Sequence, residues 1–208
     1  MENQKIILTD DLFLGTGNHK TVYAHPTDPH LCIKLLHHTP DPDFEREIRY
    51  RKSLGKRAES LTLLPKYFGE VDTSKGTGYL YERIINFDGT TSKDLQELFD
   101  LTFADKKNLP LLEKILLDFK RAYFAEKIPL AGIDATNYLV QKISPTEFRV
   151  RIIDNIGTSA TIPLIYYFER FAKKRAAKYW RKFVQDIKDR YRLLFDENFL
   201  RKLAEVTE

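Results

Sequence analysis

The chain has a single cysteine, Cys32, in 208 residues, so an internal disulfide is excluded, and nothing in the sequence suggests a zinc site. No apolar run approaches the length that crosses a bilayer. The opening Met1-Glu-Asn-Gln-Lys5 lacks the basic-then-apolar layout of a signal peptide. These absences imply a reducing, cytoplasmic setting. Internal repeats and low-complexity segments are also missing. A hydrophobic fraction of 42% with 12% aromatics excludes a largely disordered chain. The length suits one domain or two small lobes sharing a cleft, enough to bury a sizeable core. Net charge is a modest +4, but residues 163–190 hold nine Lys/Arg against three Asp/Glu. Such a cluster can meet an anionic surface, nucleic acid or phosphates, or can be the solvated face of an amphipathic helix.

The first half reads as strands. Residues 5–8, 21–24 and 31–36 are short apolar runs, separated by a turn with Gly15 and Gly17 and by Pro26-Thr-Asp-Pro29. Residues 43–54 predict a helix, with Asp41 or Asp43 as its cap. Residues 67–71 and 78–84 predict a further strand pair, and 87–91 a loop. Beyond it Ser92 can cap a helix through Leu101, and 111–126 is strongly amphipathic. Two short strands follow near 138–141 and 148–153, and from Pro163 the pattern is helical almost to the end. The expectation is an α+β, two-lobed arrangement, residues 1–86 forming a β-rich lobe and 87–208 a mainly helical one.

Certain residues stand out chemically. Gly15 and Gly17 let backbone N–H groups approach phosphate oxygens, because no Cβ intrudes, although most such turns are only turns. Lys20 follows them, either near phosphates or in water, and Val22 lies on the next strand. Lys34, in Leu31-Cys-Ile-Lys-Leu35, is costly to bury without a partner and otherwise belongs on an edge strand. Glu47 on the following helix is the candidate partner, with Glu45 as its competitor. Asn137 and Asp154 flank β-prone runs and offer hard oxygen donors of the kind magnesium takes. Each is alternatively a turn residue capping a strand.

The order of these pieces resembles the apparatus with which protein kinases hold ATP and magnesium. One part is missing: five residues before Asn137, where a kinase carries its catalytic aspartate, stands Gly132. More specifically, the chain resembles the YrbL family of PhoP-regulatory-network proteins, a small branch of the kinase-like superfamily in Gram-negative bacteria. The telling segments are Leu14-Gly-Thr-Gly-Asn-His-Lys20, Tyr23-Ala-His-Pro-Thr-Asp28, Cys32-Ile-Lys34, Gly76-Thr-Gly-Tyr-Leu-Tyr81, Phe87-Asp-Gly89 and Asp154-Asn-Ile-Gly-Thr158. The resemblance implies a reduced kinase-like fold with a nucleotide-sized cleft. It places Gly15, Gly17, Lys20, Val22, Lys34 and Glu47 around the nucleotide, with Glu82 and Ile84 at a hinge meeting the base. It places Asn137 and Asp154 on magnesium. The stretch before the asparagine departs from the family's usual Leu-Lys-Pro-x-Asn, reading Ile133-Asp-Ala-Thr-Asn137. Asp134 is thus either a displaced general base or a turn cap.

Three functions remain open on sequence grounds. The first is a pseudokinase or very weak phosphotransferase with a regulatory role. The second is an atypical active kinase using Asp134. The third is a non-enzymatic interaction protein using its basic helices. The partner beyond the nucleotide is undefined, whether a small molecule or a protein.

Overall fold

The computed structural model describes residues 5–160 and 163–206. Residues 1–4, read above for a leader, lie outside it, as do 161–162 and 207–208. In the first half the apolar runs pair into an antiparallel sheet. Its strands are β1 (Phe13–Thr16), β2 (Lys20–Ala24), β3 (Leu31–Leu36), β4 (Tyr67–Thr73) and β5 (Gly76–Glu82), in the order β1-β2-β3-β5-β4. Side chains alternate across a strand, so β3 divides its residues between two environments. Cys32 belongs to a cluster with Tyr79, Tyr81, Val22, Leu36 and Phe44. Ile33 and Leu35 turn to Leu8, Tyr23, Ile6 and Leu12. Residues 5–8, expected to be a strand, make only a single bridge, Ile6 to Thr73, and Leu8 N–H donates to Ser74 Oγ instead. They work as a cover over the sheet's second face.

Helix α1 (Pro42–Leu54) begins where the sequence signals it. Asp41 Oδ1 accepts the Phe44 N–H at 2.8 Å, and Pro42 fills the first turn, where its missing N–H has no cost. Its buried residues, Arg46, Glu47, Tyr50 and Leu54, recur at three- and four-residue spacing.

The second half holds a smaller antiparallel sheet of β6 (Lys93–Asp94), β7 (Tyr138–Lys142) and β8 (Phe148–Ile152). Around it lie α2 (Leu95–Ala104), α3 (Leu109–Glu126), α4 (Leu164–Tyr167), α5 (Glu169–Tyr191) and α6 (Glu197–Ala204). The expected Ser92 cap is corrected. Asp94 caps α2 in a reciprocal box with Glu97, while buried Ser92 donates its hydroxyl to Asn86 Oδ1. The main core joins α2, α3, α5 and α6 to β7 and β8, and it also takes in Tyr50 and Leu54 of α1. At its centre Trp180 is 1% exposed, stacks on Tyr123 and donates its Nε1–H to Leu203 O at 2.8 Å.

The two halves are tied by buried arginines. Buried Arg151 on β8 reaches Glu82 Oε2 at 2.6 Å, Leu64 O at 3.1 Å and Gln141 Oε1 at 3.0 Å. Arg46 donates to Ile156 O at 3.1 Å. Beside it Gly157 has φ +98°, and a Cβ there would meet Arg46 O at 2.8 Å. Only glycine fits both that backbone and that approach. The architecture is α+β, a β-rich first part followed by a mainly helical one.

Candidate functional site

Four of the singled-out side chains line one cavity: Lys20, Lys34, Glu47 and Asp154, with His19, Leu36, Asp41, Asp43, Phe44 and Tyr81. The strand register explains the first two. Val22 lies opposite Lys34 across β2 and β3, so Lys20, two residues earlier on β2, projects to the same side. Lys20 Nζ lies 2.8 Å from Asp154 Oδ1, the two side chains being 20% and 32% exposed. The same Oδ1 accepts the Asn155 N–H at 2.9 Å.

Lys34 is buried, yet not through the expected ion pair. Its ammonium donates to Ile153 O at 3.1 Å and stands 4.2 Å from the centre of the Tyr81 ring. Glu47 Oε1 instead accepts from Arg51 Nε at 2.7 Å and from the Tyr81 hydroxyl at 3.1 Å. Arg51 follows Glu47 by one helical turn, so it reaches the carboxylate along the same face of α1. Glu45, the competing partner, is not among the cavity residues.

These charges perturb one another. Burial, and then repulsion from Lys20, hold the Lys34 ammonium below its ordinary pKa, with Glu47 opposing. Burial works to raise Glu47, but Lys34, Arg51 and Lys20 outweigh it and its carboxyl titrates below the usual value. Burial likewise works to raise Asp154, and Lys20 beside it, Lys34 and the Asn155 N–H turn the balance downward. Both carboxylates are therefore held in the charged form.

The remaining sequence-derived positions fall around this centre. Gly15 lies in β1 and Gly17 N–H closes the hairpin onto Lys20 O at 2.9 Å. A Cβ on either would meet nothing within 4 Å, so no contact within the chain demands glycine there. Val22 is half-buried against Tyr81 and Phe44. Glu82 is spent on Arg151 and on the Lys66 N–H at 3.0 Å, and β5 ends there, short of buried Ile84. Asn137 O accepts from Ile153 N–H at 3.0 Å, beside Asp154 in the chain, but Asn137 is not among the residues lining the cavity. Asp134 is exposed and caps a short 3-10 turn, its Oδ1 accepting from Thr136 N–H and hydroxyl at 3.0 and 2.8 Å. At Gly132 a Cβ would lie 3.3 Å from Asn155 Nδ2. Asn155, itself at φ +57°, therefore crowds any side chain at that position.

The donor set does not fit magnesium as arranged. One oxygen of Asp154 already holds an ammonium and an amide, and among the described residues no three His, Cys, Asp or Glu side chains gather to ligate a metal. The cavity has about 20 Å³ of room, the space of one water.

Part of the basic stretch lines one groove along α5. Lys127 and Lys173 share Glu169 at 3.4 and 3.5 Å, and Arg170, Lys174 and Arg181 line the same groove. At its end Tyr167, Phe168 and Phe171 are exposed. No helix among the described residues is long and apolar enough to cross a membrane. Sequence reasoning missed Arg51 and Tyr81 as ligands of Glu47. Their only signal was the four-residue spacing of Arg51 and a tyrosine placed opposite Cys32.

Comparison with known proteins gives a consistent result. The sequence model of the family described as "PhoP regulatory network protein YrbL" matches residues 6–188. The chain is similar to the "Uncharacterized protein YrbL" of Escherichia coli (strain K12), at 34% identity over 182 residues, covering 86% of this chain and 86% of the relative. The protein of the same name from Shigella flexneri matches with the same figures.

Proposed function

The chain belongs to the PhoP regulatory network protein YrbL family, and from that premise we propose that it is a kinase-like regulatory protein that binds a nucleotide and transfers phosphate very slowly or not at all. One observation carries the reading. Lys20, Lys34, Glu47 and Asp154, far apart in sequence, converge on one cavity with a buried lysine at its centre. Burying a lysine costs several kcal/mol, and Ile153 O with the Tyr81 ring leaves Lys34 without a direct carboxylate partner among the described residues, a role an anion can fill. Gly15 and Gly17, against which a Cβ would meet nothing within 4 Å, border the hairpin that carries Lys20 and leave room beside the backbone for a phosphate. With about 20 Å³ inside, the phosphates take the cavity's mouth and enter as the Lys20–Asp154 contact opens.

The weak-transfer half of the proposal rests on Gly132 and Asp134. A positioned general base is worth about 10² to 10⁴ in rate. Gly132 supplies none, and Asp134 is spent capping its own turn. Calorimetry of the full chain with ATP tests the first half: binding by wild type, weakened in Lys34→Met, is expected. No heat and no thermal shift with any nucleoside triphosphate ends the reading. ATP consumption tests the second half. Turnover in wild type that disappears in Asp134→Ala makes the protein an active kinase with Asp134 as base.

A second reading is favoured by the exposed corner of Tyr167, Phe168 and Phe171 beside Arg170 and Lys174. Aromatic and basic groups on one surface suit an anionic lipid interface. Sedimentation with anionic vesicles, lost in Phe168→Ser with Lys174→Glu, supports it. Equal behaviour with zwitterionic vesicles removes it.

A further inference from the structure

Asp154 is the acid that the resemblance to kinases would assign to a metal, and a lysine of this chain already occupies it. We propose that Lys20 is the resident cation of Asp154, so that the site binds nucleotide phosphates without a divalent metal. The inference rests on the nucleotide reading and deepens it.

Several observations converge on it. The ammonium of Lys20 is 2.8 Å from Asp154 Oδ1 and only 20% exposed, so the contact is a partly desolvated ion pair rather than a loose surface one. Lys20 reaches it from the first residue of β2, immediately behind the turn that holds Gly15 and Gly17. It thus lies between the open backbone of that turn and the carboxylate. Lys34 bonds Ile153 O, the carbonyl next to Asp154 in the chain. One ammonium group is thus on the acid and a second on the carbonyl that precedes it.

The balance of charge leaves no acid waiting for a metal. Lys20 and Lys34, with Arg46 and Arg51 beside them, supply four positive charges, and Asp41, Asp43, Glu47 and Asp154 four negative ones. Asp41 also faces His19 at 3.1 Å, and Asp43 is bound by Arg46 at 2.6 Å. A divalent ion seated on Oδ1 would have to displace Lys20, and one gripping both carboxylate oxygens would have to share it. A phosphate at the cavity's mouth receives N–H donors from Lys20 and Lys34 and needs no metal to bridge it to the acid. The bland alternative is that Lys20–Asp154 is a structural pair that closes the hairpin onto the second half and has no part in binding.

Isothermal titration of the full chain with ATP, once in EDTA and once in magnesium chloride, separates these. For wild type the proposal expects the same affinity in both. Lys20→Met should weaken binding in EDTA by roughly 10- to 100-fold, the loss of one charge-assisted hydrogen bond, and should recover in part with magnesium, because Asp154 is released. Asp154→Asn should keep its affinity in EDTA, since Lys20 is then free for phosphate. A metal ligand would behave in the opposite way. Thermal melting with magnesium chloride alone supplies a readout that needs no nucleotide: wild type should not move, and Lys20→Met should rise. Should Lys20→Met fail to fold, Lys20→Gln and Asp154→Asn carry the same contrast. Wild-type binding that vanishes in EDTA overturns the proposal and leaves the nucleotide reading standing. Unchanged affinity in Lys20→Met also overturns it, in favour of the structural pair. No binding under either condition removes both.

Discussion

Replacing Arg151 by methionine tests how the two halves of the molecule are held together. Arg151 is 6% exposed, and its three bonds to Glu82, Leu64 and Gln141 come from both sides of the junction. Losing the Glu82 contact costs about 1.5–3 kcal/mol, and leaving the Leu64 carbonyl unsatisfied about 1–3 kcal/mol. Two terms act against this. Glu82 is 26% exposed and keeps its Lys66 N–H, and methionine removes the Nε group, which has no partner in the folded chain. The balance is a loss of about 2–4 kcal/mol, at the low end for a broken buried pair. For a chain of this length that lowers the melting temperature by roughly 5–15 °C. Urea unfolding followed by circular dichroism measures it. A cycle with Glu82→Gln should return a coupling of about 1–3 kcal/mol. A loss under about 0.5 kcal/mol, typical of an inert surface change, together with no coupling, refutes the argument and makes the contact solvent-screened.

Trp180→Ala removes the centre of the helical core and the donor to Leu203 O, and should cost about 3–5 kcal/mol in denaturant unfolding. Gly157→Ala forces a Cβ toward Arg46 O at a positive φ and should destabilise by about 1–3 kcal/mol; a neutral result means the loop relaxes freely. Glu47 has a folded pKa below its ordinary 4.5, so its contribution is complete above that value and is lost as pH falls through the lower folded one. Stability measured below pH 4.5 should therefore decline less steeply in Glu47→Gln than in wild type, and an equal slope contradicts the assignment. Asp134→Ala loses a cap and should cost about 0.5–2 kcal/mol while ATP affinity stays unchanged.

Local signals carried most of the fold. The run 31–36 is β3 as read, because β-branched and apolar residues between turn signals leave few alternatives. The helix over 43–54 was legible, but its cap was left between Asp41 and Asp43, and Pro42 in the first turn decides for Asp41. The start of α2 went astray because Ser92 and Asp94 are both good caps, and the Glu97 that completes the box with Asp94 was the deciding residue. The site was legible only as a set. Lys20 and Asp154 are 134 positions apart, and no periodicity announces that a lysine read beside phosphates ends on a carboxylate read beside metal. Arg46 and Arg151 escaped notice for a simpler reason. Charged residues in amphipathic patterns are ordinarily solvated, and these two are buried by backbone carbonyls brought in from elsewhere.

Helix α1 has divided allegiance. Its first turn lays Phe44 against Tyr79 of the large sheet, with ring centres 4.0 Å apart, but Arg46, Tyr50 and Leu54 are gripped by the second half. The grip is the Gly157 approach and the Tyr50–Tyr166 contact at 5.1 Å. The helix therefore travels with the helical part, as a tooth fixed in one jaw. Relative movement would then run along the seam between sheet and helix, where Tyr81 meets Glu47 and Lys34 meets Ile153. Opening that seam parts these two contacts and Lys20–Asp154 in a single stroke, so the site behaves as a clasp with one release rather than three separate fastenings.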